Sequence, residues 1–190
     1  MWGKNSRNRK ALRQLEAMMS DWECVSCGET HSGVFDLAAF APDYWRGEKL
    51  YEPNSALRFG DDFLSEDFCI IGGENFFIRG VALVPVDGLP EPFGFGAWSS
   101  LSRQSFDQYI EGFDQGRYES SLGWFGWFSN RFLTFDDTLN QACDVSPRQD
   151  RQRPTFLFQN EQHEFGRAQR DGIPAERLLE IFEAYGHKPV

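Results

Sequence analysis

The chain has 190 residues and 21.9 kDa, with 19 basic against 29 acidic residues, a formal net charge of -10 and a sequence pI near 4.8. That length suffices for one buried core, and an aromatic share of 16% excludes a disordered chain despite a mean hydropathy of -0.51. The acidic balance repels phosphate backbones and argues against nucleic acid, no run approaches the roughly 18 apolar residues that cross a bilayer, and Met1-Trp2-Gly3-Lys4 lacks a secretory core. The expectation is a cytoplasmic protein with no membrane partner.

The predicted layout is an amphipathic helix within residues 1–21, followed by a single α+β domain over 22–190. Leu12, Leu15, Met18 and Met19 recur at helical spacing, and Ser20-Asp21 ends the run. Lys4, Arg7, Arg9, Lys10 and Arg13 in the same stretch read as a solvated basic face. Next comes Cys24-Val-Ser-Cys27-Gly28 with His31 beyond it, a knuckle pattern. Residues 41–66, rich in Pro, Gly, Asn and acids, predict an irregular connection with at most one helical turn.

Phe68-Cys69-Ile70-Ile71 and the run Phe76 to Val84 predict a hairpin across Gly72-Gly73-Glu74-Asn75. Phe93 to Ser99 alternates large and small side chains and predicts a third strand. Ser102 is placed to cap a helix carrying Phe106, Tyr109, Ile110 and Phe113. Further strands are predicted at 122–128 and 154–159, and for the aromatic runs at 93–98 and 122–128 the core ranks ahead of the walls of a ligand groove. Pro174 opens a closing helix lined by Leu178, Leu179, Phe182 and Tyr185. Strands grouped between helices predict an α+β fold with a largely antiparallel sheet flanked by a few helices. Arg79 and Arg131, each beside aromatics, are suited to a buried ion pair or to an anion.

The sharpest chemical signal is the Cys24/Cys27 pair. Two thiols three positions apart ahead of a glycine supply half of a tetrahedral zinc site, and Gly28 is free to take the positive φ that closes the turn. His31 lies near enough in sequence to join them. A fourth ligand must come from afar, and His163, in the polar stretch Glu161-Gln162-His163-Glu164, ranks ahead of Cys69 and Cys143. Cys69 sits in an apolar strand and reads as an inert buried thiol. His187 is set aside as lying beside the C-terminus. A thioredoxin-like dithiol is disfavoured, because Gly28 follows Cys27 at once and no βαβ pattern surrounds the pair. The adjacent acids Asp61-Asp62, Glu66-Asp67 and Asp136-Asp137 read as surface, and neither a G-x-S-x-G elbow nor a P-loop occurs.

Several blocks occur in one order: Cys24-x-x-Cys27-Gly28-x-x-His31, Pro42-Asp43-Tyr44-Trp45, Asp67 to Ile70, Phe76 to Gly80, Gly96-x-Trp98-x-Ser100-Leu101-Ser102, Gly123 to Trp127, Arg153-Pro154-Thr155, His163, and Gln169-Arg170-x-Gly172-Ile173. Over roughly residues 22–183 this succession resembles the bacterial domain-of-unknown-function family 2199. Ser32 to Leu37 departs from the Leu-Pro found there. The resemblance implies that Cys24, Cys27, His31, Cys69 and His163 form a recurring pattern, which favours metal, and it supplies no substrate. The function expected is therefore a structural-zinc domain that binds another protein, an immunity-like binder being one specific form. A hydrolase using a zinc-bound water is the alternative.

Overall fold

The computed structural model describes residues 2–119 and 121–188, with side chains from residue 8 onward. Its elements are α1 (Trp2–Ala17), β1 (Asp21–Glu23), β2 (Thr30–Ser32), β3 (Leu37–Ala38), a 3-10 turn (Asn54–Ala56), β4 (Phe63–Leu64), β5 (Phe68–Ile71), β6 (Asn75–Val84), β7 (Phe93–Leu101), α2 (Arg103–Phe113), β8 (Trp124–Phe128), β9 (Ala142–Ser146), β10 (Thr155–Phe158), α3 (Glu164–Asp171) and α4 (Ala175–Ala184). The fold is α+β.

The hairpin of β5 and β6 forms where the paired apolar runs place it, in a register that sets Cys69 opposite Phe77. Ser102 caps α2, its side chain accepting from the Ser105 amide at 3.1 Å. Pro174 sits one residue ahead of α4 instead of opening it, because its ψ of 153° is extended. β9 was not anticipated; it pairs along its length with both β8 and β10. In α1, Arg9, Lys10 and Arg13 are exposed, while the side chains of Lys4 and Arg7 lie outside the described residues. Leu15 and Met18 are buried and Met19 is exposed.

The expected sheet needs correction. Strands β7, β8, β9, β10 and β6 pair in a ring that β6–β7 closes, so the sheet is a five-stranded barrel extended by β5 and β4 on one side and β3 on another. Five strands in a ring cannot alternate direction throughout, so one join must be parallel. That join is β10–β6, with Thr155 beside Val81; β3 also runs parallel to β7. Among the described residues no helix is long and apolar enough to cross a membrane.

Alternate residues of every barrel strand point into one core. Phe76, Ile78, Ala82 and Val84 of β6 meet Phe93, Phe95, Ala97 and Leu101 of β7, Trp124 and Phe128 of β8, Val145 of β9, and Phe156 and Phe158 of β10. The ring is tightest at one inward position on each of two strands, Gly80 of β6 and Gly126 of β8, where there is no side chain. A Cβ on Gly80 would lie 2.6 Å from the Pro154 carbonyl oxygen and 2.7 Å from the Phe156 ring, and one on Gly126 would lie 2.6 Å from the Ser100 carbonyl oxygen. The helices seal this core: Phe106 and Tyr109 of α2, Phe165 of α3, and Leu178, Ile181 and Phe182 of α4 join the same cluster, as do Ala11, Leu15 and Met18 from the N-terminal segment. α1 lies against α4.

A second cluster, Leu64, Cys69, Phe77 and Trp98, forms on the outer face under the 39–51 segment. Arg79 lies here against the Tyr51 and Trp98 rings, each centroid 5.9 Å from its guanidinium carbon, and donates to the Tyr51 hydroxyl. Arg131 instead joins Asp43 and Asp137 in partly exposed ion pairs at 3.6 and 3.2 Å. The 93–98 run is core as expected. In the second run Trp124 and Phe128 are buried, but Phe125 and Trp127 are 49% and 48% exposed, because β8 presents alternate residues to the two faces of the barrel wall.

Candidate metal centre

β1 and β2 form a short antiparallel hairpin with Trp22 opposite His31, and the knuckle is its loop. The Cys24 amide donates to the Glu29 carbonyl at 3.0 Å and the Gly28 amide to the Cys24 carbonyl at 2.8 Å, which turns both sulfurs to one side. Gly28 holds φ at 75° with open space around it, so conformation and not crowding demands glycine there.

The C-terminal segment completes the site. α4 ends in a Schellman motif: Gly186 takes φ 82°, its amide donates to the Glu183 carbonyl, and the His187 amide donates to the Phe182 carbonyl at 2.8 Å. The reversal lays residues 186–188 beside the knuckle. There the Val25 amide donates to the Lys188 carbonyl at 2.9 Å and the Lys188 amide to Cys24 Sγ at 3.2 Å.

Cys24, Cys27, His31 and His187 thereby converge, with one ligand atom from each lying within 4.8 Å of all the others, close enough to bind a metal ion. Zinc–ligand bonds of about 2.0–2.3 Å place tetrahedral donors roughly 3.3–3.8 Å apart, so contraction by about 1 Å completes the geometry. Cys27 Sγ and His31 Nε2 are already 3.2 Å apart. The donor set is two thiols and two imidazoles, the softness that suits zinc. His187 Nδ1 is buried without a hydrogen-bond partner, an orphan that a metal would satisfy. Around the donors, the His31 ring lies 4.8 Å from Trp22 and from Phe35 and 4.9 Å from the edge-on His187 ring, a frame that fixes both imidazoles. Burial is the largest influence on the Cys24 thiol and raises its pKa. The backbone groups of Cys27, Lys188 and Ser26 and the Cys27 side chain oppose it and together hold the pKa down to about 6 from 9.0.

The structure does not bring His163 to this cluster. Its Nδ1 accepts from the Phe165 amide at 3.1 Å, capping α3, and its Nε2 faces the Asp137 carbonyl at 3.2 Å. With both ring nitrogens engaged, no lone pair is left for a metal, and His187 takes the place assigned to His163. The signal that points to His187 is Gly186 directly before it, a helix-ending glycine that turns the next residue back. Cys69 and Cys143 are fully buried elsewhere. Burial pushes the Cys69 thiol far up, and that of Cys143, which donates to the Gly126 carbonyl, up to about 12. The native metal-free protein is expected to react with a thiol reagent first at Cys27, the exposed cysteine, then at Cys24, which is buried but carries a lowered pKa, with all four cysteines reacting in denaturant. Mass spectrometry of the labelled peptides reads this directly, and early labelling of Cys69 or Cys143 would contradict the assignment.

No curated protein and no solved structure matches the chain. A family model described as "Uncharacterized protein conserved in bacteria (DUF2199)" matches residues 23–173, which include Cys24, Cys27 and His31 and stop short of His187. A match over that share of the sequence means that the chain belongs to this uncharacterised bacterial family.

Proposed function

We propose that this is a structural-zinc protein in which one ion, held by Cys24, Cys27, His31 and His187, fastens the β1–β2 knuckle to the end of α4, and that it acts by binding another protein. The observation that carries the zinc reading is the convergence of four donors from opposite ends of the chain within 4.8 Å. Four protein ligands fill a tetrahedral zinc and leave no position for water, which weighs against the hydrolase reading. In support of a protein partner, β8 and β10 present Phe125 and Leu157, 49% and 53% exposed, on either side of Asp144 in one cross-strand row. An immunity-like binder remains one form of this reading.

The test combines elemental analysis with X-ray absorption at the zinc edge on protein purified without added metal. The expected result is one zinc per chain in an S2N2 shell. Stoichiometric protein without zinc, or a shell dominated by oxygen, overturns the metal assignment. For the partner, a stoichiometric complex captured from native bacterial lysate and lost in a Phe125→Ser/Leu157→Ser variant is expected; capture indifferent to both changes removes that surface.

A further inference from the structure

A second site lies apart from the cysteines and histidines and shares no residue with them. Phe77 of β6, Ser100 of β7 and Trp127 of β8 are register partners in one row across three adjacent strands. Phe77 and Trp127 are thus two strand spacings apart, roughly 9–10 Å, with a small serine between them. Over that gap opens a cavity of about 440 Å³, within the size range of small-ligand sites.

Tyr44, from the irregular segment, forms part of the wall. Its ring stacks near Phe77 at 6.1 Å, and its hydroxyl donates to Asn140 Oδ1 at 2.5 Å. Asn140 holds the left-handed φ of 61°, a conformation uncommon outside glycine, and this places its amide on the rim. Asn75 stands on another part of the lining, its Nδ2 donating to the Ile71 carbonyl at 3.2 Å.

The lining contains aromatic rings, amides and hydroxyls and no charged side chain. With a net charge of -10, the protein repels phosphorylated and carboxylated ligands. The complementary ligand is uncharged, with apolar C–H faces for the electron-rich faces of Trp127 and Tyr44 and a perimeter of groups that both donate and accept. Hydroxyl and amide groups sit on the floor (Ser100) and on separate parts of the rim (Asn75, Asn140), which matches a ring polar all round its edge better than a nucleobase, polar along one or two edges. From this lining we infer that the cavity is a binding site for a neutral saccharide, one ring of which stacks on Trp127.

The experiment is isothermal titration of the purified full chain with glucose, galactose, mannose, N-acetylglucosamine and their β1,4- and α1,4-linked disaccharides, alongside adenosine. Two variants test the site. Trp127→Ala removes an exposed platform, and Asn140→Gly removes the amide while keeping a residue at ease at positive φ. Unchanged far-ultraviolet circular dichroism shows that each is folded. The expected result is binding of at least one saccharide, weakened tenfold or more in Trp127→Ala and severalfold in Asn140→Gly. No saccharide binding up to about 10 mM, binding of adenosine alone, or saccharide binding unchanged in Trp127→Ala overturns the inference. The zinc content bears on none of these outcomes.

Discussion

Replacing His187 with alanine is expected to abolish stoichiometric zinc and to lower the thermal midpoint, whereas His163→Ala is expected to keep full zinc. The two histidines do different work. His187 contributes a donor to the cluster, while His163 spends both nitrogens on the α3 cap and the Asp137 carbonyl. An ion present at about a thousand times its dissociation constant adds about 4 kcal/mol of stability, which at 2–4 °C per kcal/mol for this chain length is roughly 8–16 °C. Loss of the His163 cap costs about 1 kcal/mol, a few degrees. Elemental analysis and differential scanning of both variants check this, and zinc lost from His163→Ala but retained in His187→Ala would reverse the ligand assignment.

Acid is expected to act in the same direction as the His187 variant. Zinc needs thiolates and neutral imidazoles, so falling pH releases it. The metal-free protein follows suit: the folded-state pKa of Cys24 is depressed from 9.0 to about 6, so its contribution is full above about 9 and fades as pH falls through about 6. Midpoints of loaded and chelated protein should both decline from pH 9 to pH 6, and they should converge once the metal has left.

Phe165→Ala carries the other large expected effect, a loss of about 3–5 kcal/mol, or roughly 6–20 °C of thermal midpoint. Phe165 is fully buried and its ring meets those of Phe95, Phe128, Phe132, Phe135 and Phe158 at 4.9–6.3 Å. Truncation takes the α3 side of the barrel core away from five aromatic partners at once and leaves a void that packed strands cannot collapse into. Total stabilities of 5–15 kcal/mol make this a large share of the whole. Urea unfolding measures it, and a loss under about 1 kcal/mol would mean that Phe165 is not the keystone its contacts indicate.

The N-terminal half of the candidate metal centre was legible because knuckle chemistry is local. Cys24, Cys27, Gly28 and His31 lie within eight consecutive positions, and one turn sets their geometry. The fourth donor was not legible in the same way. His187 lies beside the sulfurs because α4 packs against α1 and ends in a glycine turn, whereas the polar, loop-like setting of His163 ahead of a helix is that of a helix cap. The family match carries the same blind spot, ending at residue 173.

Sequence by itself determined the elements whose signals repeat within a few residues: the hairpin of β5 and β6, the Ser102 cap of α2, β7, β10 and the apolar side of α4. It pointed as well to Cys24, Cys27 and His31 near the N-terminus as half of a candidate metal site. Tertiary structure alone decided that the sheet closes, since closure depends on Gly80 accepting the Phe156 ring from a strand far along the chain. It also decided which rings of Trp124-Phe125-Gly126-Trp127-Phe128 face water, because a run that is apolar throughout has no polar alternation to mark its outer side. The physical reason is common to both: backbone conformation and short-range spacing are encoded by neighbours, whereas burial and ligand convergence depend on surfaces that meet only once the chain has folded.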